Sequence, residues 1–206
     1  MEKLLIILAL AVSSIMQSQG NYEQGMDQAL QLWEENKIEE SSALFERIAS
    51  AEQGNWLPNY YIALVNTTSA FETKDFNKMS QMLTIAQTSL DIELDKTPKN
   101  VELLVMQAMI HTAWIAFDPM SYGQKLSPSV MQLYATAEAI APENPRVVFE
   151  KAQFQMGTAR FFGNDTAPIC AEIEKSLKLF DNFKPESKYH PNWGKEQAVK
   201  AYKTCK

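Results

Sequence analysis

The chain contains two cysteines, Cys170 and Cys205, and two histidines, His111 and His190, so any thiol or imidazole chemistry rests on four residues. A metal site needs two or three such ligands at helical or turn spacing. His111 falls inside an apolar helical stretch and His190 between Tyr189 and Pro191, with no second ligand near either. No Ser, Cys or Asp nucleophile has a recognisable base partner, and no glycine-rich phosphate loop occurs; seven glycines leave little material for one. Acidic pairs such as Glu34-Glu35 and Glu39-Glu40 read as solvated faces. The expectation is a protein without catalytic residues, cofactor or metal, one that binds and does not catalyse.

The compartment follows from the start of the chain. Met1-Glu2-Lys3 precedes a small and apolar run from Leu4 to Ile15, then Met16-Gln17-Ser18-Gln19-Gly20. That run is too short to span a bilayer and suits the core of a signal peptide cleaved after Gly20. The expected product is exported, periplasmic in a Gram-negative bacterium or otherwise secreted, with no membrane insertion after cleavage. In an oxidising compartment an even pair of cysteines favours a disulfide, here Cys170–Cys205. Two free thiols or a redox pair are the alternatives, and there is no Cys-x-x-Cys. A net charge of −6 disfavours nucleic acid and anionic membrane surfaces as partners.

From residue 21 onward the pattern is helical throughout. Apolar residues recur with helical period, and Gly, Pro and Asn divide them into about nine helices. Pro58 fits the first turn of one helix and Asp75 the N-cap of another. Asp118–Ser127 reads as a polar connection between two helices, the second starting at Pro128. Pro98 is followed ten residues later by Ala108, and Pro142 ten residues later by Ala152. Stacked helical hairpins need a small residue where helices touch and a proline where a unit ends, which is the pattern seen.

These residues resemble tetratricopeptide (TPR) repeats. Ala29, Leu32, Asn36, Ile38, Ser41 and Phe45 match unit positions 8, 11, 15, 17, 20 and 24 of that pattern. Phe76 and Ala86, then Ala108, Tyr134, Ala137 and Pro142, then Ala152, continue it with departures. Met79 replaces a small residue, and Pro98 and Pro142 stand 44 residues apart, ten more than one repeat. Asn55-Trp56-Leu57-Pro58-Asn59-Tyr60-Tyr61 and His190-Pro191-Asn192-Trp193-Gly194 are also similar to exported TPR-like proteins of Bacteroidota. The resemblance implies an all-α, degenerate TPR-like α-solenoid of about four hairpins over residues 21–183. A signal peptide (1–20) precedes it, and a C-terminal loop and capping helix (184–206) follow.

In such arrays the first helix of each unit lines a concave face. Carried over, the resemblance implies a partner-binding groove containing Met26, Leu30, Trp33, Tyr61, Leu64, Phe71, Met109, Arg146, Phe149 and Met156. The competing reading is that these residues are core, covered by the extended helices and the terminal segment. Tyr122, in the Asp118–Ser127 connection, is a candidate for an exposed functional ring. The function expected is a monomeric adaptor or scaffold for a protein or peptide. The alternative is a periplasmic binding protein that holds a small apolar or glycan ligand between helical repeats.

Overall fold

The computed structural model describes residues 20–205. The expected export signal therefore lies outside the described residues, apart from its last residue, Gly20. The fold is all-α, as expected, with nine helices and no strand among the described residues.

Helix α1 spans residues 20–34 and turns through Asn36, which takes a left-handed backbone (φ 59°), into α2, Ile38–Ala51. The buried Ser41 hydroxyl donates to the Ala29 carbonyl and ties this hairpin together. The next pair is α3, Leu57–Ala70, and α4, Phe76–Lys96. Pro58 sits in the first turn of α3, and the Asp75 carboxylate accepts from the Lys78 N–H as the N-cap of α4. Both were legible as sequence signals. The third pair is α5, Val101–Phe117, and α6, Pro119–Ile140; the fourth is α7, Pro145–Phe162, and α8, Ala167–Asn182. Asn100 and Asn144 cap α5 and α7 by accepting from backbone N–H groups of the first turn. Gly163 ends α7 in the left-handed region (φ 70°). A non-helical segment, residues 183–194, leads to α9, Lys195–Lys203.

Partners within the second, third and fourth pairs pack side by side, and α3, α5 and α7 also touch in succession, so α5 is enclosed by α3, α4, α6 and α7. That explains its composition: ten of its residues are buried, among them Leu103, Val105, Met106 and Ile110. An apolar core runs from α1 through α7, and a smaller one joins α7, α8 and α9 around Phe149, Met156, Ile173 and Ala198. Beside it, Cys170 and Cys205 form a disulfide that fastens the end of α9 to the first turn of α8.

One expectation about the path of the chain needs correction. The Asp118–Ser127 stretch is helix, not loop. Asp118 caps α6 by accepting from the Ser121 N–H, Pro119 occupies its first turn, and Pro128 lies inside the helix rather than at its start. Tyr122 is accordingly not presented by a loop. Its ring sits on Trp114, with centroids 5.1 Å apart.

Candidate ligand cavity

The face on which the groove residues were placed is closed. Met26, Tyr61, Leu64, Met109, Arg146, Phe149 and Met156 are all buried, and Leu30 and Trp33 are partly buried against the same core. Phe71 alone of the ten is substantially exposed, at 44%. Part of the cover is the segment after α8. The Tyr189 hydroxyl lies 2.9 Å from the Glu23 carbonyl and 3.0 Å from the Asp27 carboxylate of α1, and Tyr61 donates its hydroxyl to the Tyr189 carbonyl. Trp193 Nε1–H donates to the Tyr60 hydroxyl at 2.7 Å. Phe183 lies under the Arg146 guanidinium, 4.5 Å from its ring centroid. Toward the end of the array, α8 and α9 cover Phe149 and Met156.

An opening of another kind lies at the C-terminal end of α5. A cavity of about 770 Å³ is walled by the C-terminal end of α5, the first half of α6 and the second half of α7. This volume is within the range of small-molecule and cofactor sites, roughly 300–1,000 Å³. Ile115, Ala116, Pro119, Met120, Pro128, Phe154, Phe161 and Phe162 supply its apolar surface. Thr112 and Thr158 also line it, but their hydroxyls donate to carbonyls four residues back, Ala108 and Phe154. Hydroxyls spent on their own helix leave methyl groups to face the cavity. Gln124 and Gln153 add amides to the wall, and Gly123 and Gly157 add bare backbone.

The rim carries an unusual amount of uncovered apolar surface. Phe161 is 58% exposed, Phe162 69% and Met120 84%, and the two phenyl rings meet edge to face at 5.0 Å. Large apolar side chains gathered at the mouth of a cavity are costly in water unless something covers them there. None of these three was among the sequence candidates. The available signal was the Phe161-Phe162 doublet just before Gly163, where two consecutive aromatics cannot both follow the buried stripe of a helix.

The two histidines stand apart from one another. His111 lies one residue before the cavity wall, but its nitrogens are engaged: Nε2 is 2.9 Å from the Gln107 amide and Nδ1 3.3 Å from the Ser129 hydroxyl. Burial holds its pKa below the ordinary imidazole value. His190 packs edge-on against Trp56 at 5.6 Å, with Nδ1 3.8 Å from Glu186. Among the described residues, no three His, Cys, Asp or Glu side chains gather as a metal site would require. No described helix is long and apolar enough to cross a membrane.

A second recess adjoins the cavity across α7. About 350 Å³ in volume, it is lined by Gln153, Met156 and Arg160 of α7, Ile173 of α8, Gln197, Lys200 and Ala201 of α9, and Thr204 just beyond it. Gln153 borders both spaces. Arg160 Nη2 donates to the Thr204 hydroxyl at 3.2 Å, which holds the guanidinium toward α9.

No protein-family model matches the chain, and no curated protein matches it. Among solved structures it is similar to the HusA haemophore from Porphyromonas gingivalis, at 23% identity and a TM-score of 0.78. The match covers 90% of this chain and 92% of that one, so the shared fold extends over nearly the whole described molecule.

Proposed function

We propose that the protein is an exported, non-enzymatic carrier that holds a small, predominantly apolar ligand in the cavity between α5, α6 and α7. The observation that carries this reading is the concentration of exposed Phe161, Phe162 and Met120 at the mouth of an apolar space large enough for a cofactor-sized molecule. The fold neighbour supplies the ligand class: its name describes a haemophore, and haem is a broad apolar ring of suitable size. An adaptor with a peptide groove is the weaker reading, because seven of the ten groove residues are buried, Tyr61 and Arg146 of them against the segment that follows α8.

In this reading haem is cargo, not a resident cofactor. Of the side chains on the cavity wall, the Met120 thioether is the one soft donor suited to the iron. Retention would otherwise come from burying the ring against phenyl and aliphatic groups, which stabilises by about 25 cal/mol for each Å² of apolar surface removed from water. The TPR-like character of the hairpins and a periplasmic address belong to the same proposal.

Titration of the purified mature chain with haemin and with metal-free protoporphyrin tests the proposal. Saturable, one-to-one changes in the ring absorbance, with quenching of tryptophan fluorescence from nearby Trp114, are expected. If neither compound gave a saturable change at protein concentrations well above those of free ring, the carrier reading would be wrong.

A further inference from the structure

Helical glycines are costly relative to alanine, because each loses more backbone freedom on folding. Three of the seven glycines have a steric or backbone reason. Gly163 and Gly194 adopt positive φ, and a Cβ at Gly194 would lie 2.8 Å from the Phe180 ring. A Cβ at Gly25, within α1, would press on Ile48 at 3.1 Å. Gly123 in α6 and Gly157 in α7 have no such reason: both are helical, neither has positive φ, and a Cβ at either would meet nothing within 4 Å. Yet both open onto the same cavity, from two different walls.

We infer that Gly123 and Gly157 set the thickness of the ligand, forming a slot for a planar ring whose acidic groups reach Arg160 and Lys200. This inference rests on the carrier reading above. Bare backbone on two helices lets a flat molecule approach more closely than any side chain would allow. On α7, Gln153, Gly157 and Phe161 follow one another at four-residue spacing and so share one stripe, with the phenyl ring beyond the glycine. Across that helix, the recess bordered by Gln153 carries the cations Arg160 and Lys200 over a floor of Met156, Ile173 and Ala201. An apolar slot beside a basic recess complements a planar ring that bears carboxylates. The Cys170–Cys205 disulfide, on α8 and at the end of α9, holds Lys200 and Thr204 opposite Arg160.

The test uses Gly123→Ala, Gly157→Ala and Gly157→Leu, together with the pair Arg160→Gln and Lys200→Gln. The probes are protoporphyrin, its dimethyl ester and bilirubin, an open-chain, non-planar tetrapyrrole diacid. The alanine variants should melt higher than the parent, by about 2–4 °C each, since they gain helix propensity and clash with nothing. Their affinity for protoporphyrin should nevertheless fall, by roughly tenfold for each added methyl and further for leucine. Binding of bilirubin should be weaker in the parent and little changed by the alanines. The Arg160/Lys200 variant should lose the parent's preference for the diacid over the ester. Unchanged porphyrin affinity in the glycine variants would overturn the slot while leaving the carrier reading intact. Equal losses for planar and non-planar probes would also overturn it, and an unaltered diacid preference would remove the basic pair from the site. A parent protein that binds none of the probes would end both the carrier reading and this inference.

Discussion

Arg146 grips Glu102 through two hydrogen bonds of 2.7 Å, from Nε to Oε2 and from Nη2 to Oε1, with both side chains out of contact with solvent. The N-cap residue Asn144 adds a third, donating its amide to Glu102 Oε1 at 2.7 Å. The pair joins the first turns of α5 and α7, consecutive inner helices of the stack. Its remaining terminal nitrogen, Nη1, has no hydrogen-bond partner among the described residues, while the guanidinium lies over the Phe183 ring. Truncating one member strands the other as an uncompensated buried charge. Glu102→Ala should therefore cost about 3–5 kcal/mol in urea denaturation, whereas replacing both by apolar residues of similar volume should cost far less. A single-variant loss below about 1 kcal/mol would mean that the pair is not sealed from water.

The second measurement concerns the disulfide. It closes a loop between residues 35 apart, and in the chain-entropy model this is worth roughly 3–4 kcal/mol. Replacing both cysteines by serine should lower stability by about that amount. The loss should fall mainly on α8 and α9, whose own core cluster is small. Hydrogen exchange should show faster exchange in Lys195–Lys203 than in α5. Uniform exchange along the chain would argue that the stack unfolds as one unit.

Two ionisable groups give the stability opposite pH dependences. Glu150, on α7 facing Tyr134, has its carboxyl pushed up from 4.5 to about 7 by desolvation, against the lowering influence of Arg146. An acid raised in the folded state binds more protons there than in the unfolded chain, so its contribution is fully present below about pH 4.5 and declines as pH rises to about 7. Glu150 keeps partial solvent contact, so the loss should be about 1–2 kcal/mol, well under the value for a sealed interior. His111, lowered by burial, acts the other way: stability declines as pH falls through its ordinary value of 6.5. Below pH 6.5 the two contributions oppose one another, so the variants separate them: relative to the parent, Glu150→Gln should remove the loss of stability as pH rises from 4.5 to about 7, and His111→Gln the loss as pH falls below 6.5, both read as melting temperature between pH 4 and 8. If the parent and Glu150→Gln differed by the same amount at pH 4.5 and pH 7, the carboxyl would not be the titrating group.

How much of this was legible beforehand depends on the range of the interactions involved. Helix boundaries are local, and Pro58 and Asp75 announced two of them through chemistry confined to a few residues. The helical state of Asp118–Ser127 was not legible, because Gly123, Gln124 and Ser127 face a cavity and so lack the apolar period that marks a buried stripe. The closed face was hidden for a different reason. Its cover is made by contacts such as Tyr61 to Tyr189 and Tyr60 to Trp193, over separations of 128 and 133 residues, and no local pattern encodes them. Position within an expected repeat carries no information about which distant segment lies against a residue.

That cover can itself be measured. Tyr60 is fully buried, and its hydroxyl accepts the Trp193 indole N–H. Trp193→Phe keeps most of the ring but removes the donor, which should cost about 1–3 kcal/mol by leaving a buried hydroxyl short of a partner. Tyr60→Phe on the same background should then cost little more, because the two changes delete one interaction. Additive losses in the double-variant cycle would show that the bond contributes nothing of its own.

Phe161 and Phe162 separate stability from binding. Both rings are mostly in water, so replacing each with serine should change folding stability by no more than about 0.5 kcal/mol, as for other surface positions. If the rings close over a ligand, the same substitutions remove the apolar surface that would be buried on binding, and each should weaken haemin or protoporphyrin binding by tenfold or more, about 1.4 kcal/mol. Phe76, 49% exposed, lies outside the cavity lining but packs on Trp114, so with binding read from the absorbance of the bound ring it provides the control: Phe76→Ser should leave ring binding unaltered. Equal effects at Phe76 and Phe161 would mean that tetrapyrroles adhere to exposed aromatics in general. Loss confined to Phe161 and Phe162 would assign the binding to this cavity and make its mouth the place where the ligand enters and leaves.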